Sequence, residues 1–295
     1  MASSLHALTN TTSKLTRDQR AQIAYAADDV LLPFLSNGTV TFLYTDSSGN
    51  QPIYDLNFSG IFGLRALART DFLTGKNTFN DVTTAYLTST AAHLQNASVI
   101  PLTVCVRTLL SFPTVSHICL NDKINAALVG LVAMDVHFAY NDSTALTIAD
   151  SLWNQLFSGQ MQSQQASAGT LQNSIYNVTF SSSCNSQSVA GAVFTGGWPQ
   201  WGEAAISTIG AADVGSYFAL SSQLYKATAN ATYLASAVLA AQFIQYHLYS
   251  AQIIQSSLDI STCVSNSTQR PDTNGFVLEG LAALSSANYT EFNPM

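Results

Sequence analysis

Apolar residues recur at intervals of three and four along most of the chain, which is the spacing that lines one side of a helix. A first helix is predicted to begin at Thr16, where Gln19 completes a capping-box pattern, and to end near Pro33. Residues 40–44 are predicted to form a short hairpin strand. Further helices are predicted at 57–74, 80–95, 122–140, 145–160, 203–228, 231–249 and 274–287. The sequence therefore predicts an all-α protein.

Several predicted helices are apolar on more than one side. In the stretch 231–249, Tyr233, Ala237 and Ala240 line one face while Leu234 lies on another. Such helices lie between two layers of structure, and helical hairpins packed side by side provide those layers. The pattern is compatible with a solenoid of hairpins and with hairpins that close into a toroid.

The chain is expected to form one domain. Residues 1–14 are predicted to be an N-terminal tail, and residues 15–290 a single domain of helical hairpins. Within this domain, residues 160–202 are rich in Ser, Gln and Gly and carry an aromatic cluster at their end. This segment is expected to be a long functional loop.

The composition indicates a globular chain with few charges. Charged residues make up 9 % of the 295 residues and apolar residues 47 %, which excludes a disordered protein. The formal net charge is −7, and the sequence has no basic stripe that could neutralise a phosphate backbone. Nucleic acid is therefore not expected as a partner.

Nine Asn-x-Ser/Thr sequons offer another source of solubility, because attached glycans hydrate a weakly charged surface. They begin at Asn10, Asn37, Asn57, Asn96, Asn141, Asn177, Asn230, Asn266 and Asn288. The four cysteines fit two disulfides in an oxidising compartment, with four buried thiols as the alternative. These features favour a protein that is secreted or displayed at a cell surface.

No signal peptide is visible in the first residues, since they have no apolar core of that kind. No uncharged apolar run reaches the length of a membrane span. Membrane association is therefore expected only through an anchor that this sequence does not display.

Motifs of several common enzyme classes are absent from the sequence: the zinc-ligand pattern, the P-loop, the dinucleotide-binding glycine fingerprint and the nucleophile elbow. The five histidines lack the spacing of metal ligands, so no metal and no cofactor is expected. A small set of acids remains beside Trp and Gly residues in loops. Sugar-cleaving sites are built from these residue types, because cleavage uses two carboxyl groups.

The candidate acids are Asp28, Asp29, Asp122, Asp135, Asp142, Asp150, Glu203, Asp213 and Glu279. Each of them, taken alone, is more often a helix cap or a surface acid than a catalytic group.

The stretch from Cys184 to Glu279 contains, in order, GGWPQW at 196–201, FALSSQLYKATANATYL at 218–234 and NGFVLEGL at 274–281. In this order and spacing it resembles glycoside hydrolase family 76, the α-1,6-mannanase family, especially its divergent fungal members. Residues 196–201 (GGWPQW) are similar to the family's glycine-glycine-aromatic loop, and residues 218–234 to its helix, "TGN-TYL" turn and next helix. Residues 274–281 are similar to its later helix start, "QG-(aromatic)-(I/L)-EGL". The similarity spans residues 15–287 and is diffuse before residue 120.

The resemblance implies an (α/α) toroid of six helical hairpins and the retaining cleavage or transfer of α-1,6-linked mannose. The family uses two adjacent aspartates early in a helix as nucleophile and acid/base. The matching positions here hold Ile124 and Asn125, and Asp122 is the nearest carboxylate. A shift of three residues nearly restores the same helix face, so Asp122 is the candidate catalytic residue. Glu203 and Asp213 are weaker candidates for the second carboxyl group.

The resemblance also indicates substrate contacts and disulfides. The candidate substrate-binding residues are Asn121, Asn125, Gly196, Gly197, Trp198, Trp201, Asn274 and Gly275. The implied disulfides are Cys184–Cys263 and Cys105–Cys119. The chain has fewer predicted helices than six hairpins need, so the ring is expected to be incomplete.

Three functions fit these observations. The first is a glycoside hydrolase or transglycosylase that acts on α-1,6-linked mannan or a related cell-wall glycan. The second is a catalytically inactive relative that binds such a glycan, because a neutral Asn cannot act as the nucleophile. The third is a structural surface protein that keeps only the scaffold. Carbohydrate is the expected partner of the first two.

Overall fold

The computed structural model describes residues 16–31, 35–36, 39–40, 42–44, 53–55, 58–97, 122–172, 177–186, 188–194, 208–250, 252–266 and 271–287. The helices in these residues are α1 (Arg17–Leu31), α2 (Phe58–Thr74), α3 (Asn80–Ala97), α4 (Asp122–Tyr140), α5 (Ser143–Phe157), α6 (Ser163–Ala168), α7 (Ala211–Thr228), α8 (Ala231–Phe243) and α9 (Pro271–Ser286). The strands are β1 (Leu35–Ser36), β2 (Thr39–Val40), β3 (Phe42–Tyr44), β4 (Ile53–Asp55), β5 (Thr170–Gln172), β6 (Asn177–Thr179), β7 (Thr208–Gly210), β8 (Tyr249–Ser250), β9 (Ile253–Ile254), β10 (Ser257–Asp259) and β11 (Val264–Asn266).

The all-α prediction is confirmed, and local sequence explains where the helices begin. Thr16 and Gln19 exchange the two hydrogen bonds of the predicted capping box. Asp142 accepts hydrogen bonds from two backbone N–H groups in the first turn of α5, so this helix begins at Ser143, slightly before the predicted start. Pro271 opens α9, at a position where a proline has no helical hydrogen bond to lose.

The helix predicted at 203–228 is wrong at its start, because α7 begins only at Ala211. Residues 208–210 form β7, which pairs with β10 in an antiparallel three-stranded sheet of order β11-β10-β7. This pairing uses the backbone groups that a longer helix would need. The stretch 231–249 also divides, since α8 ends at Phe243 and a π-helical turn follows over Ile244–Leu248.

The segment 160–202, expected to be a loop, contains regular structure where it is described. Gln162 and Gln165 form a capping box that starts α6, and Gly169 ends the helix in a left-handed conformation. The hairpin of β5 and β6 follows. Two glutamine side chains form this cap in place of the usual Ser or Thr, so the sequence lacks the usual signal for the start of α6.

Helical hairpins organise the fold. Residues 75–79 join α2 to α3, a turn at Asn141 joins α4 to α5, and a turn at Ala229 and Asn230 joins α7 to α8. Asn141 and Ala229 take left-handed backbones with φ of 56° and 55°, which ends the first helix of each pair. Asn230 then caps α8 with its side chain.

The helices α2, α4, α7 and α9, called here the central helices, run in the same direction. Arg65 of α2 binds Asp135 of α4. Further along both helices, Tyr140 of α4 donates a hydrogen bond to Asp71 of α2 at 2.9 Å. Because both contact points advance toward the carboxyl ends, α2 and α4 are parallel.

The helix α9 closes this group against α2 in the same orientation. The rings of Phe62 and Phe276 stack with their centroids 6.0 Å apart. One turn later along both helices, Arg65 forms an ion pair with Glu279. Both contacts again advance toward the carboxyl ends of the two helices, so α2 and α9 are parallel.

Close approach between α7 and α9 depends on glycine. Near the start of both helices, Gly215 lies against Phe276. Further along, a Cβ atom placed on Gly280 would lie 2.5 Å from the Phe218 ring, so only glycine fits there. These two contacts also show that α7 and α9 run parallel.

The Cys184–Cys263 disulfide that the resemblance implies is present in the structure. It joins a 3₁₀ turn, Ser182–Ser186, to the turn before β11. Cys105 and Cys119 lie outside the described residues. Among the helices described, none combines the length and apolar character that a membrane crossing requires.

Candidate functional site

The central helices place their amino ends at one end of the molecule. Because they run in the same direction, their first residues, Phe58, Asp122, Ala211 and Pro271, lie at that end. We call it the amino end of the central helices. Backbone N–H groups in the first turn of a helix have no acceptor within the helix and carry partial positive charge. The partial positive charge at this end favours a ligand rich in oxygen atoms, while the N–H of Ala211 already donates to the backbone oxygen of Ser256 at 2.8 Å.

Predicted site residues from three helices share this end. Asp122 is the first residue of α4 and Asn125 follows within one turn; the structure describes the backbone of both. Asp213 lies in the first turn of α7. Asn274 and Gly275 lie near the start of α9. Positions that are widely separated in the sequence are thus brought to one end of the fold.

The remaining predicted site residues lie outside the described part of the chain. They are Asn121, Gly196, Gly197, Trp198, Trp201 and Glu203. The described chain stops at Phe194 and resumes at Thr208, directly before the amino end of α7.

The half-buried Asp213 lies close to the residue that precedes α7. Its Oδ2 would be 2.6 Å from a Cβ atom placed on Gly210. The Ser216 hydroxyl donates a hydrogen bond to the backbone oxygen of Asp213 at 3.2 Å. Glycine at position 210 therefore leaves room for a carboxylate at the start of α7, where the helix dipole favours negative charge.

The start of α9 is open beside Gly275. This glycine is exposed, and a Cβ atom placed on it would meet no described atom within 4 Å. A glycine inside a helix costs about 0.5–1 kcal/mol relative to alanine. Packing among the described residues does not require this glycine, whereas close approach of a ligand to the backbone would.

A group of charged side chains, called here the ion cluster, lies further along the central helices. Arg65 Nε donates to Asp135 Oδ2 at 2.7 Å, and Arg69 Nε to Asp135 Oδ1 at 3.0 Å. Both arginines and Gln223 also donate to Glu279 Oε1. Asp135 and Glu279 are candidate acids of the sequence, but no sequence signal connects them to each other or to the arginines.

The ion cluster pairs two positive with two negative charges. The side chains of Arg65 and Asp135 are each 6 % exposed and that of Arg69 is 44 % exposed. Burial alone lowers the pKa of Arg65, but the charges and hydrogen bonds of Asp135 and Glu279 outweigh it, so the pKa of Arg65 is raised above its ordinary value. Carboxylate oxygens engaged in this way are poorly placed to attack a sugar. The ion cluster therefore holds helices together.

Along α4 the ion cluster is distant from the amino end. Residues 122 and 135 of α4 are 13 positions apart, which corresponds to about 20 Å along the helix axis. Asp135 therefore cannot act together with Asp122 on one bond.

Other candidate acids have structural partners. Asp142 caps α5, and Asp150 accepts a hydrogen bond from the Tyr233 hydroxyl. Burial, with a further contribution from Asp150, raises the pKa of Tyr233 above its ordinary value. In the residues described, no group of three or more His, Cys, Asp or Glu side chains could hold a metal ion.

Comparison with known proteins identifies solved structures with a similar fold. No family model matches the sequence, and no curated protein sequence matches it. A family 76 α-mannanase of Bacteroides thetaiotaomicron is similar over 91 % of this chain and 66 % of its own, with a TM-score of 0.57 and 13 % identity. Dfg5 of Chaetomium thermophilum, solved in complex with glucosamine, is similar over 96 % of this chain and 61 % of its own, with a TM-score of 0.52 and 13 % identity.

The chain spans less than two thirds of the length of either of these structures. Its fold matches that of the family 76 glycoside hydrolases, which are helical toroids. The fold expected from the resemblance is thereby confirmed.

Proposed function

We propose that this chain, which has the fold of the family 76 glycoside hydrolases, binds α-1,6-linked mannan or a related cell-wall glycan and cleaves or transfers it. The observation that carries the proposal is the position of Asp122, Asp213 and Asn274 near the amino ends of three parallel helices. An α-mannanase and a glucosamine complex among the similar structures support a saccharide as the ligand.

Retaining cleavage needs two carboxyl groups about 5 Å apart. Asp122 is the proposed catalytic residue, and Asp213 is a proposed partner that begins a neighbouring helix at the same end; Glu203 is the alternative. One carboxylate attacks the anomeric carbon while the other, protonated, gives its proton to the leaving glycosidic oxygen. Water or a sugar hydroxyl then loses a proton to that group and displaces the first carboxylate. Trp198 and Trp201 are the proposed aromatic platforms on which the sugar rings stack.

A second candidate function is glycan binding without cleavage. It is favoured by Ile124 and Asn125, which stand where the family has its paired aspartates. Neither of these side chains has a carboxylate that could form the covalent glycosyl intermediate. In this case the amino end of the central helices keeps its affinity for glycan and lacks turnover.

We further propose that the protein is a glycoprotein of the secretory route or the cell surface. The sequon residues Asn141, Asn177, Asn230 and Asn266 are all exposed. An exposed Asn can carry a bulky glycan without disturbing the core. The Cys184–Cys263 disulfide is in keeping with an oxidising compartment.

The test is incubation of the purified, glycosylated protein with an α-1,6-linked mannan oligosaccharide, with the products followed by mass. Shorter or transferred oligosaccharides that disappear in Asp122→Asn and persist in Asp81→Asn support the enzyme. Asp81 is a matched control because it is an exposed acid in the first turn of α3. Products that persist in Asp122→Asn contradict the assigned role of Asp122.

Binding without products supports the second function. In that case Asp122→Asn should retain affinity for the oligosaccharide, while Trp198→Ala should weaken it. If the wild-type protein neither binds nor cleaves the oligosaccharide, both functions are excluded and only the scaffold role remains.

A further inference from the structure

A cavity lies at the carboxyl end of α2, away from the amino end of the central helices. It has a volume of about 510 Å³ and is lined by Asp18, Ala21, Gln22, Tyr25, Thr74 and Lys76. We call it the α1 cleft, because α1 forms one wall and the carboxyl end of α2 the other. Small-molecule sites typically have volumes of about 300–1,000 Å³. The cleft is therefore large enough for a small ligand.

Hydrogen bonds join the two walls of the α1 cleft. The hydroxyl of Thr74 donates to the backbone oxygen of Thr70 at 2.7 Å. It is therefore the acceptor for the Tyr25 hydroxyl, which lies 2.6 Å away. The Tyr25 ring also packs against Phe79, with the centroids 5.7 Å apart. A wall that is already ordered binds a ligand with a smaller loss of conformational freedom.

The charged group on the α2 side of the cleft is Lys76, whose ammonium lies 4.5 Å from the centroid of the Tyr25 ring. An ammonium over an aromatic face is attracted by the ring quadrupole. The Lys76 side chain is exposed, so the N–H groups of its ammonium are available to a ligand in the cleft.

The α1 wall carries, beside Tyr25, polar side chains that have no partner among the described residues. Asp18 and Gln22 lie one helical turn apart on α1, and both are exposed. Neither side chain forms a hydrogen bond or an ion pair within the part of the chain that the structure describes. Asp18 and Lys76 thus line one cavity without pairing with each other.

This arrangement of charges disfavours a ligand that carries charge of one sign only. An anion attracted to Lys76 would also face the carboxylate of Asp18, and a cation attracted to Asp18 would face the ammonium of Lys76. A neutral polyhydroxylated molecule avoids both conflicts, because its hydroxyls donate to the carboxylate and accept from the ammonium. The amide of Gln22 can do both.

We propose that the α1 cleft is a second saccharide-binding site, separate from the amino end of the central helices. Its ligand is a neutral sugar unit of the glycan, and this identification rests on the proposed function. Binding at both places would let one long chain engage the protein at two points, which raises its overall affinity for polymer over short oligosaccharide.

The experiment is a titration of the isotope-labelled full chain with α-1,6-linked mannotriose, with backbone amide shifts followed by NMR. Shifts at the amides of Gln22 and Lys76 report the α1 cleft. Shifts at Asp213 and Asn274 report the amino end. The double variant Asp18→Ala/Gln22→Ala should weaken the cleft response about tenfold or more, since hydrogen bonds to a charged group are lost, and should leave the amino-end response unchanged.

The matched control is Asp81→Ala/Gln164→Ala, which removes one exposed acid and one exposed amide outside the cleft. It should leave both responses unchanged. Shifts at the amino end without shifts in the cleft overturn this proposal and leave the proposed function standing. A cleft response that the double variant does not weaken also overturns it. Shifts in the cleft alone support a saccharide site there and contradict the proposed site at the amino end.

Discussion

Asp135 and Glu279, on helices far apart in the sequence, bind the same two guanidinium groups, those of Arg65 and Arg69. Since Gln223 also donates to Glu279, this shared contact joins all four central helices. A buried charge pair tolerates little displacement, because separation leaves unpaired charges out of contact with water. The ion cluster therefore fixes how far each central helix is advanced along its neighbours, and with it where their amino ends lie.

Removing Arg65 should destabilise the protein more than removing Arg69. Arg65→Ala leaves Asp135 buried without its nearest partner, and loss of one member of a buried pair costs about 3–5 kcal/mol. Arg69→Ala removes a side chain that is 44 % exposed, and we expect a cost of about 1 kcal/mol or less. Urea unfolding of both variants measures the difference, and equal costs would contradict the assigned role of Arg65.

Two glycines on α9 should respond in opposite directions to alanine. Gly275→Ala meets no described atom within 4 Å, so we expect the free energy of unfolding to rise by about 0.5–1 kcal/mol. Gly280→Ala brings a Cβ within 2.5 Å of the Phe218 ring, so we expect it to fall by about 1–3 kcal/mol.

The same pair of variants also tests the site. If saccharide approaches the α9 backbone at Gly275, the Gly275→Ala variant binds mannotriose more weakly although it is more stable. Thermal unfolding and mannotriose titration measure the two effects separately. Unchanged mannotriose affinity in Gly275→Ala would remove this glycine from the proposed site.

The helices could be predicted from the sequence because their signals are local. Apolar spacing and caps such as Thr16 with Gln19 lie within a few residues of each other. The start of α7 could not be predicted in this way, since β7 exists only through pairing with β10, which comes much later in the chain.

The candidate site shows the same contrast. Asp122 and Asn274 are predicted from the resemblance and Asp213 only from its carboxyl group, and the parallel central helices explain why such distant positions share one end. The ion cluster gave no local signal, because Arg65 and Glu279 meet only after α2 and α9 pack. Acid residues alone therefore did not distinguish Glu279, a structural partner, from Asp213.

The Cys184–Cys263 disulfide should contribute to stability through the unfolded state. It closes a loop with a sequence separation of 79 residues, and the loss of a native disulfide typically costs about 2–5 kcal/mol. The double variant Cys184→Ser/Cys263→Ser should unfold at a correspondingly lower urea concentration than wild type. A double variant as stable as the wild-type protein would contradict this contribution.

Two hairpin turns should carry N-linked glycans in a secretory host. Asn141 is exposed in the turn after α4. Asn230 caps α8 through Oδ1, which accepts from the backbone N–H of Thr232 at 2.9 Å, and this leaves Nδ2 for the glycan. Ser143→Ala and Thr232→Ala should each remove the mass of one glycan, measured on the intact protein. Thr144→Ala, next to Ser143 but outside the sequon, should not.

His247 should make the free energy of unfolding depend on pH. It donates its Nε2–H to the backbone oxygen of Ser188 at 2.9 Å, and its ring lies 5.0 Å from that of Phe243. Burial lowers the pKa of His247, and the hydrogen bond to Ser188 offsets only part of this effect, so the pKa lies below 6.5. As the pH falls, the unfolded chain therefore takes up the proton before the folded chain does.

The contribution of His247 to stability is full above pH 6.5 and is lost as the pH falls from 6.5 through the pKa of the folded state. Urea unfolding at about pH 7.5 and about pH 5.5 should show this loss in the wild-type protein. His247→Gln keeps an N–H donor and does not titrate in this range, so its stability should change less between the two conditions. His137→Gln, the matched control, should retain the loss. A change in His247→Gln as large as that of the wild type would show that other groups cause the pH dependence.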